Sequence, residues 1–93
     1  MLIDFVEVIN DGNQYTVCET FINSDSIVAV RDNLQMAVLH SKGVLDKSVF
    51  HEKVTFSTIS VAGGQLSNTI VVLGDKEFIC DKVNGVKNVR KTK

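Results

Sequence analysis

The sequence predicts a mainly β protein: a small SH3-like barrel or meander of about six to seven short strands, with a short C-terminal helical turn. Three observations carry this expectation. Val and Ile lead the apolar residues while Pro and Trp are absent, a composition that favours strands. Several runs alternate apolar and polar residues with a period of two. Turn signals separate those runs at short intervals, notably Asp11-Gly12, Asn23-Ser24-Asp25-Ser26 and Gly74-Asp75. The 93 residues make a single domain, 1–93, with one modest core.

The first strand spans residues 2–9, where Ile3, Phe5 and Ile9 frame Asp4 and Glu7. Asn10-Asp11-Gly12-Asn13 follows, and Asp-Gly between apolar runs is a hairpin signal. Strand two, from Gln14 to about Ile22, places Tyr15 and Val17 on one face and Thr16, Cys18 and Thr20 on the other. Asn, Ser and Asp favour tight turns because their side chains bond nearby backbone. Residues 23–26 therefore turn the chain into a third strand, Ile27 to Arg31.

Asp32-Asn33 reads as another turn, and Leu34 to His40 as strand four. Residues 44–51 read either as one helical turn, with Asp46 and Ser48 as caps, or as an ordered loop. Alternation returns from Glu52 to Val61, with Val54, Phe56 and Thr58 on one face. Thr69 to Leu73 is continuously apolar, as expected of a strand buried on both faces. Gly74-Asp75-Lys76 then reads as a hairpin turn into Glu77–Cys80. Asp81 resembles a helix N-cap, and Val83, Val86 and Val89 are spaced for a short helical turn.

The charge balance excludes some partners. Ten basic and eleven acidic side chains leave a net charge of −1, so no footprint for duplex nucleic acid is present. Lys87, Arg90, Lys91 and Lys93 form the one basic cluster and read as a solvated tail or a phosphate contact. No apolar run approaches the ~18–20 residues of a membrane span. Cys18 and Cys80 lie in apolar runs without Cys-x-x-Cys spacing and read as reduced core thiols. The expected compartment is the cytoplasm, or the host cytoplasm for a phage-encoded chain.

Sites for chemistry are sparse. His40 and His51 are the two histidines, without the paired spacing of a metal site. No thiol has the electropositive setting of a nucleophile. The chain is therefore expected to be no enzyme and to carry no cofactor and no metal. The most ligand-like stretch is Gly63-Gly64 followed by Ser67, Asn68 and Thr69. Its glycines would let backbone amides approach a phosphate, and its short side chains add donors. It lacks the Lys-Ser/Thr pair of a P-loop. Arg31, Lys53, Phe50 and Tyr15 would complete such a site.

Some of these features occur together in a known family. Ile22-Asn23, Asp25, Ile27 and Val30, then Thr69, Val71, Leu73-Gly74, Val83 and Val86, resemble the small FlbD-type flagellar proteins and related short phage proteins. That resemblance covers roughly residues 2–31 and 68–90. It implies a small barrel with no catalytic residues to transfer. Residues 32–67 depart from the pattern and read as an inserted hairpin and loop.

Together these features lead to three expectations. The first is a non-enzymatic β-barrel binding protein that forms a homo-oligomer, a thin Val-lined core often being stabilised by association. As a phage accessory factor it would block or sequester a host protein, with residues 32–67 carrying the contact. The second is an oligomeric sponge for a phosphate-bearing small ligand such as a cyclic nucleotide. The third is a structural component of a virion or flagellum.

Overall fold

The computed structural model describes residues 1–63 and 66–91. Its elements in chain order are β1 (Leu2–Asn10), β2 (Tyr15–Asn23), a 3-10 turn (Ser24–Ser26), β3 (Ile27–Asp32) and α1 (Leu34–Ser41). Then come β4 (Phe56–Gly63), β5 (Leu66–Leu73) and α2 (Lys76–Lys91). The strands form one antiparallel sheet in the order β2-β1-β5-β4-β3. The fold is mainly β, but with five strands among the described residues rather than six to seven. Among the described residues β2 and β3 do not pair, so the sheet is open and no barrel closes.

The sheet is nonetheless strongly coiled. β2 and β3 are its two edges, yet only three residues join them. In a flat sheet these edges would lie about 19 Å apart, whereas a short 3-10 turn advances only about 2 Å per residue. The connection requires curvature. Asn23 makes the turn possible by accepting the Asp25 N–H at 3.0 Å, and the Ser24 N–H reaches the Met1 carbonyl at 2.9 Å. The polar turn read at residues 23–26 is therefore present.

Strand alternation divides the interior into two cores. Ile3 and Phe5 of β1, Ile22 of β2, Ile59 of β4 and Val72 of β5 pack with Ile79 and Val83 of α2. Val8, Phe56, Val71 and Leu73 have the opposite parity in the same strands, and they pack with Met36, Leu45 and Phe50 from α1 and the loop after it. The sheet thus carries α2 on one face and the α1 layer on the other. β5, central between β1 and β4, contributes to both cores, as its continuous apolar run requires.

Leu34–His40 is a helix, not a strand. Asn33 is its N-cap: its Oδ1 accepts the Met36 N–H at 2.9 Å, while its Nδ2 donates to Thr58 Oγ1 at 2.9 Å. Leu-Gln-Met-Ala, good helix formers, follow the cap directly. Asn33→Ala should lower stability by about 1–2 kcal/mol, combining the cap with the lost bond to β4. Urea denaturation checks this, and an unchanged midpoint would show that the cap does not hold α1.

The second correction lies at Glu77–Cys80, which is helical and belongs to α2. Asp75, not Asp81, caps it, accepting the Phe78 N–H at 2.8 Å. Asp32 adds a second carboxylate at this N-terminus by accepting the Lys76 N–H at 2.9 Å, where negative charge is favoured by the helix dipole. Ile79 and Val83, four apart, face the sheet. Gly74 turns the chain from β5 with φ of 116°, a conformation other residues rarely adopt. The basic residues Lys87, Arg90 and Lys91 belong to α2, whereas Lys93 lies outside the described residues.

Residues 32–67 do not form the expected inserted hairpin. They contain α1, a loop over 42–55, and β4 in the middle of the sheet. β4 begins at Phe56 rather than Glu52. Of the two readings for 44–51 the ordered loop is the observed one, with a single turn in which Val49 and Phe50 N–H groups reach the Asp46 carbonyl at 3.1 and 2.9 Å. Cys18 is exposed rather than a core thiol, and Cys80 is half-buried, because alternation puts Cys18 on the α2 side beyond that helix's reach.

Candidate functional site

The principal cleft opens between α1 and the 42–55 loop and has a volume of about 870 Å³. Leu34, Ala37 and Ser41 line one wall, and their i, i+3, i+7 spacing places them along one stripe of α1. Met36 and Leu39 occupy the stripe that enters the core. Leu45, Lys47, His51, Glu52 and Val54 supply the opposite wall, and Phe56 reaches it from β4. The floor is tied together by the Asn33 N–H, which donates to the Phe56 carbonyl at 2.9 Å.

His40 connects the two walls. Its Nε2 lies 2.7 Å from the His51 carbonyl and 3.2 Å from that of Glu52. Both partners are acceptors, so Nε2 carries the proton and donates. Nδ1 is shielded from solvent and without a hydrogen-bond partner among the described residues. The ring also meets Phe56 edge-on, with centroids 5.8 Å apart. His40 therefore acts as a latch between helix and loop. The two histidines do approach each other, through the His51 backbone.

Asp46 stiffens the far side of the loop. Its carboxylate accepts from the Ser48 hydroxyl at 2.7 Å and the Ser48 N–H at 2.9 Å. Those bonds, the hydroxyl's first, hold its carboxyl below the ordinary value of 3.8. Asp11 is lowered for the same reason by the N–H groups of Gln14 and Asn13 in the β1–β2 turn.

The charge around the cleft is acidic. Asp32, Glu52 and Asp75 line it with one ammonium, Lys47, and Asp32 is also 4.0 Å from the Lys76 ammonium. Leu34, which lines the cleft, is 73% exposed, and Val38 of α1 and Val44 of the loop are 48% and 58% exposed. Single exposed apolar residues are ordinary.

The residues expected to bind a phosphate-bearing ligand fall into separate groups. Asn68 and Thr69 lie on β5 beside the β4–β5 connection, opposite Val61 and Ser60. Gly63 and Ser67 pair with Leu66 and Ala62 there, while Gly64 lies outside the described residues. Arg31 is opposite Thr58, five residues from Gly63 and so about 17 Å along the strand. Lys53 sits beyond the other end of β4, exposed in the loop. Phe50 is fully buried and offers no face for stacking, and Tyr15 is packed against the same core. One chain does not bring the described ones together. The cleft is hidden from a strand reading of Leu34–His40, its main wall; Asn33 followed by strong helix formers is the signal in the sequence that points to it.

Among the described residues no group of three or more potential ligands is placed to hold a metal ion, and no helix is long and apolar enough to cross a membrane. Compared with known proteins, the chain matches no family, no curated protein and no solved structure.

Proposed function

We propose that this protein is a non-catalytic binding module that occludes a partner protein by receiving a short segment of it in the cleft between α1 and the 42–55 loop. The observation that carries this is the pairing of chemistry there: an apolar lining of Leu34, Ala37, Leu45 and Val54, with the carboxylates of Glu52 and Asp75, and that of Asp32 shared with Lys76, against Lys47. That combination fits an apolar anchor flanked by Lys or Arg. The anchor would gain by leaving water, while the flanking cation would be drawn by the acidic surroundings and would disfavour wrong partners. Action by masking needs no turnover, which suits an accessory factor that blocks a host component.

A phosphate-bearing ligand is the weaker reading. The cleft volume falls within the range of small-molecule sites, about 300–1,000 Å³. Its excess of carboxylates would repel an anion, and the basic and glycine-rich candidates lie apart along β4.

A peptide array with Leu or Phe centres and either basic or acidic flanks tests the proposal. Basic-flanked peptides should bind, more weakly as salt rises, and Ala37→Arg should abolish binding by filling the cleft with a cation. Binding of acidic-flanked peptides alone, or unchanged binding by the variant, would sink it. Calorimetry with cyclic nucleotides provides the contrasting arm.

A further inference from the structure

The two edges of the sheet are not alike. β3 is six residues long, carries a register shift between Ile27 and Ala29, and ends in Arg31 and Asp32. Short length, a bulge and charge are the devices that keep an edge strand from pairing with another chain. β2 is longer, unbroken and carries less charge. It runs for nine residues, pairs with β1 without interruption, and holds one charged side chain, Glu19. Phe21 on this strand is 57% exposed, and beside it on the same face of β1 are Leu2 and Val6, also exposed.

We propose that β2 pairs antiparallel with β2 of a second copy, across a two-fold axis at Cys18. A sheet continued through such an axis keeps each face on its own side, so opposed residues must share a face. Five centres, 17 to 21, pair five or more residues of the strand. An axis at Thr20 pairs residues 17–23 but sets the Glu19 carboxylate against the Phe21 ring. One at Phe21 limits pairing to 19–23 and sets the two Phe21 side chains against each other without Tyr15. An axis at Glu19 sets its two carboxylates against each other. An axis at Val17 limits pairing to Tyr15–Glu19 and leaves Phe21 uncovered. An axis at Cys18 pairs residues 15–21, separates the two Glu19 side chains, and sets each Glu19 opposite Val17. It also opposes Tyr15 with Phe21 and Thr16 with Thr20, both favourable cross-strand pairs. Glu19 thus excludes the longest register, and the pairing of Tyr15 with Phe21 distinguishes the axis at Cys18 from the one at Thr20. The exposed Phe21 ring gains its cover from Tyr15 of the second copy.

A contact of this size lies at the low end of interfaces, below about 1,200 Å² in total, so the dimer is reversible and depends on concentration. Sedimentation equilibrium from micromolar to millimolar concentration should show monomer and dimer only. Cys18 is exposed, so Cys18→Asp and Cys18→Lys leave the fold intact, as circular dichroism checks. Each variant alone opposes two like charges about 5 Å apart across the axis, which should weaken dimerisation about tenfold or more. Mixed in equal amounts, the two variants should form a heterodimer at least as readily as the unaltered chain. A monomer at every concentration, an assembly larger than two, single variants that dimerise like the unaltered chain, or a mixture that stays monomeric would each overturn the proposal.

Discussion

Replacing Phe50 with alanine should cost about 3–5 kcal/mol of folding stability, the range for deleting a large buried aromatic side chain. Phe50 is completely enclosed, and its ring lies 5.9 Å from that of Phe56. It is the main anchor of a loop with little regular structure, held otherwise by Leu45, by the Asp46 turn and by the His40 latch. A domain of this size is stable by about 5–14 kcal/mol, so much of the reserve would go. The loss should begin locally. Tyr15 is the one tyrosine in a chain without tryptophan, and it packs against this core. Its fluorescence in urea should therefore report an earlier transition, and α1 amides should lose protection from hydrogen exchange before those of β5. Uniform protection in the variant would show that the loop layer and the sheet unfold as one unit.

Ile79→Ala should cost about 2–5 kcal/mol through the other face. Ile79 is fully buried among Phe5, Ile59 and Val72, and with Val83 it attaches α2 to the sheet. The loss should be global, because α2 covers the strands that hold β1, β5 and β4 together. Helical circular dichroism and Tyr15 fluorescence should shift to the same lower urea midpoint. A loss confined to the helical signal would show that α2 docks on a sheet already stable without it.

The comparison of Leu34–His40 with Thr69–Leu73 shows how far local pattern reaches. Thr69–Leu73 reads as a doubly buried strand, and the structure has it at the centre of the sheet with a core on each side. Leu34–His40 can be read either way: Leu34, Met36 and Val38 alternate, while Met36 and Leu39 are also spaced for a helix. Asn33 resolves this only through partners, since its cap on Met36 and its bond to Thr58 need β4 alongside. Gly74-Asp75-Lys76 is ambiguous for the same reason. A glycine and an aspartate suit a hairpin turn or a strand end followed by a helix N-cap. Asp32, remote in sequence, contributes to the helical outcome by accepting the Lys76 N–H.

The candidate cleft was legible only in outline. Residues 32–67 stand out as the place where the chain departs from a plain β pattern, and the cleft's walls come chiefly from within them. Its residues could not be named, because Leu34, Ala37 and Ser41 share a face only once α1 is a helix. The phosphate-site reading failed to assemble within one chain for a complementary reason. Gly63, Arg31 and Lys53 are residue types that suit a phosphate, but Gly63 ends β4, Arg31 pairs with Thr58 from β3, and Lys53 lies in the loop before β4.

By itself the sequence determined the mainly β character, the tight turns at 11–14 and 23–26, the alternation of the β1, β2 and β4 cores, and the double burial of β5. These follow from forces between near neighbours: side-chain bonds to adjacent backbone and the period-two exposure of a strand. Tertiary structure decided which ambiguous segments became helices, that the sheet coils without closing, and that the α1 layer leaves a cleft. Those outcomes depend on hydrogen bonds and apolar contacts between residues far apart in the chain, whose free energy appears only when both partners are in place.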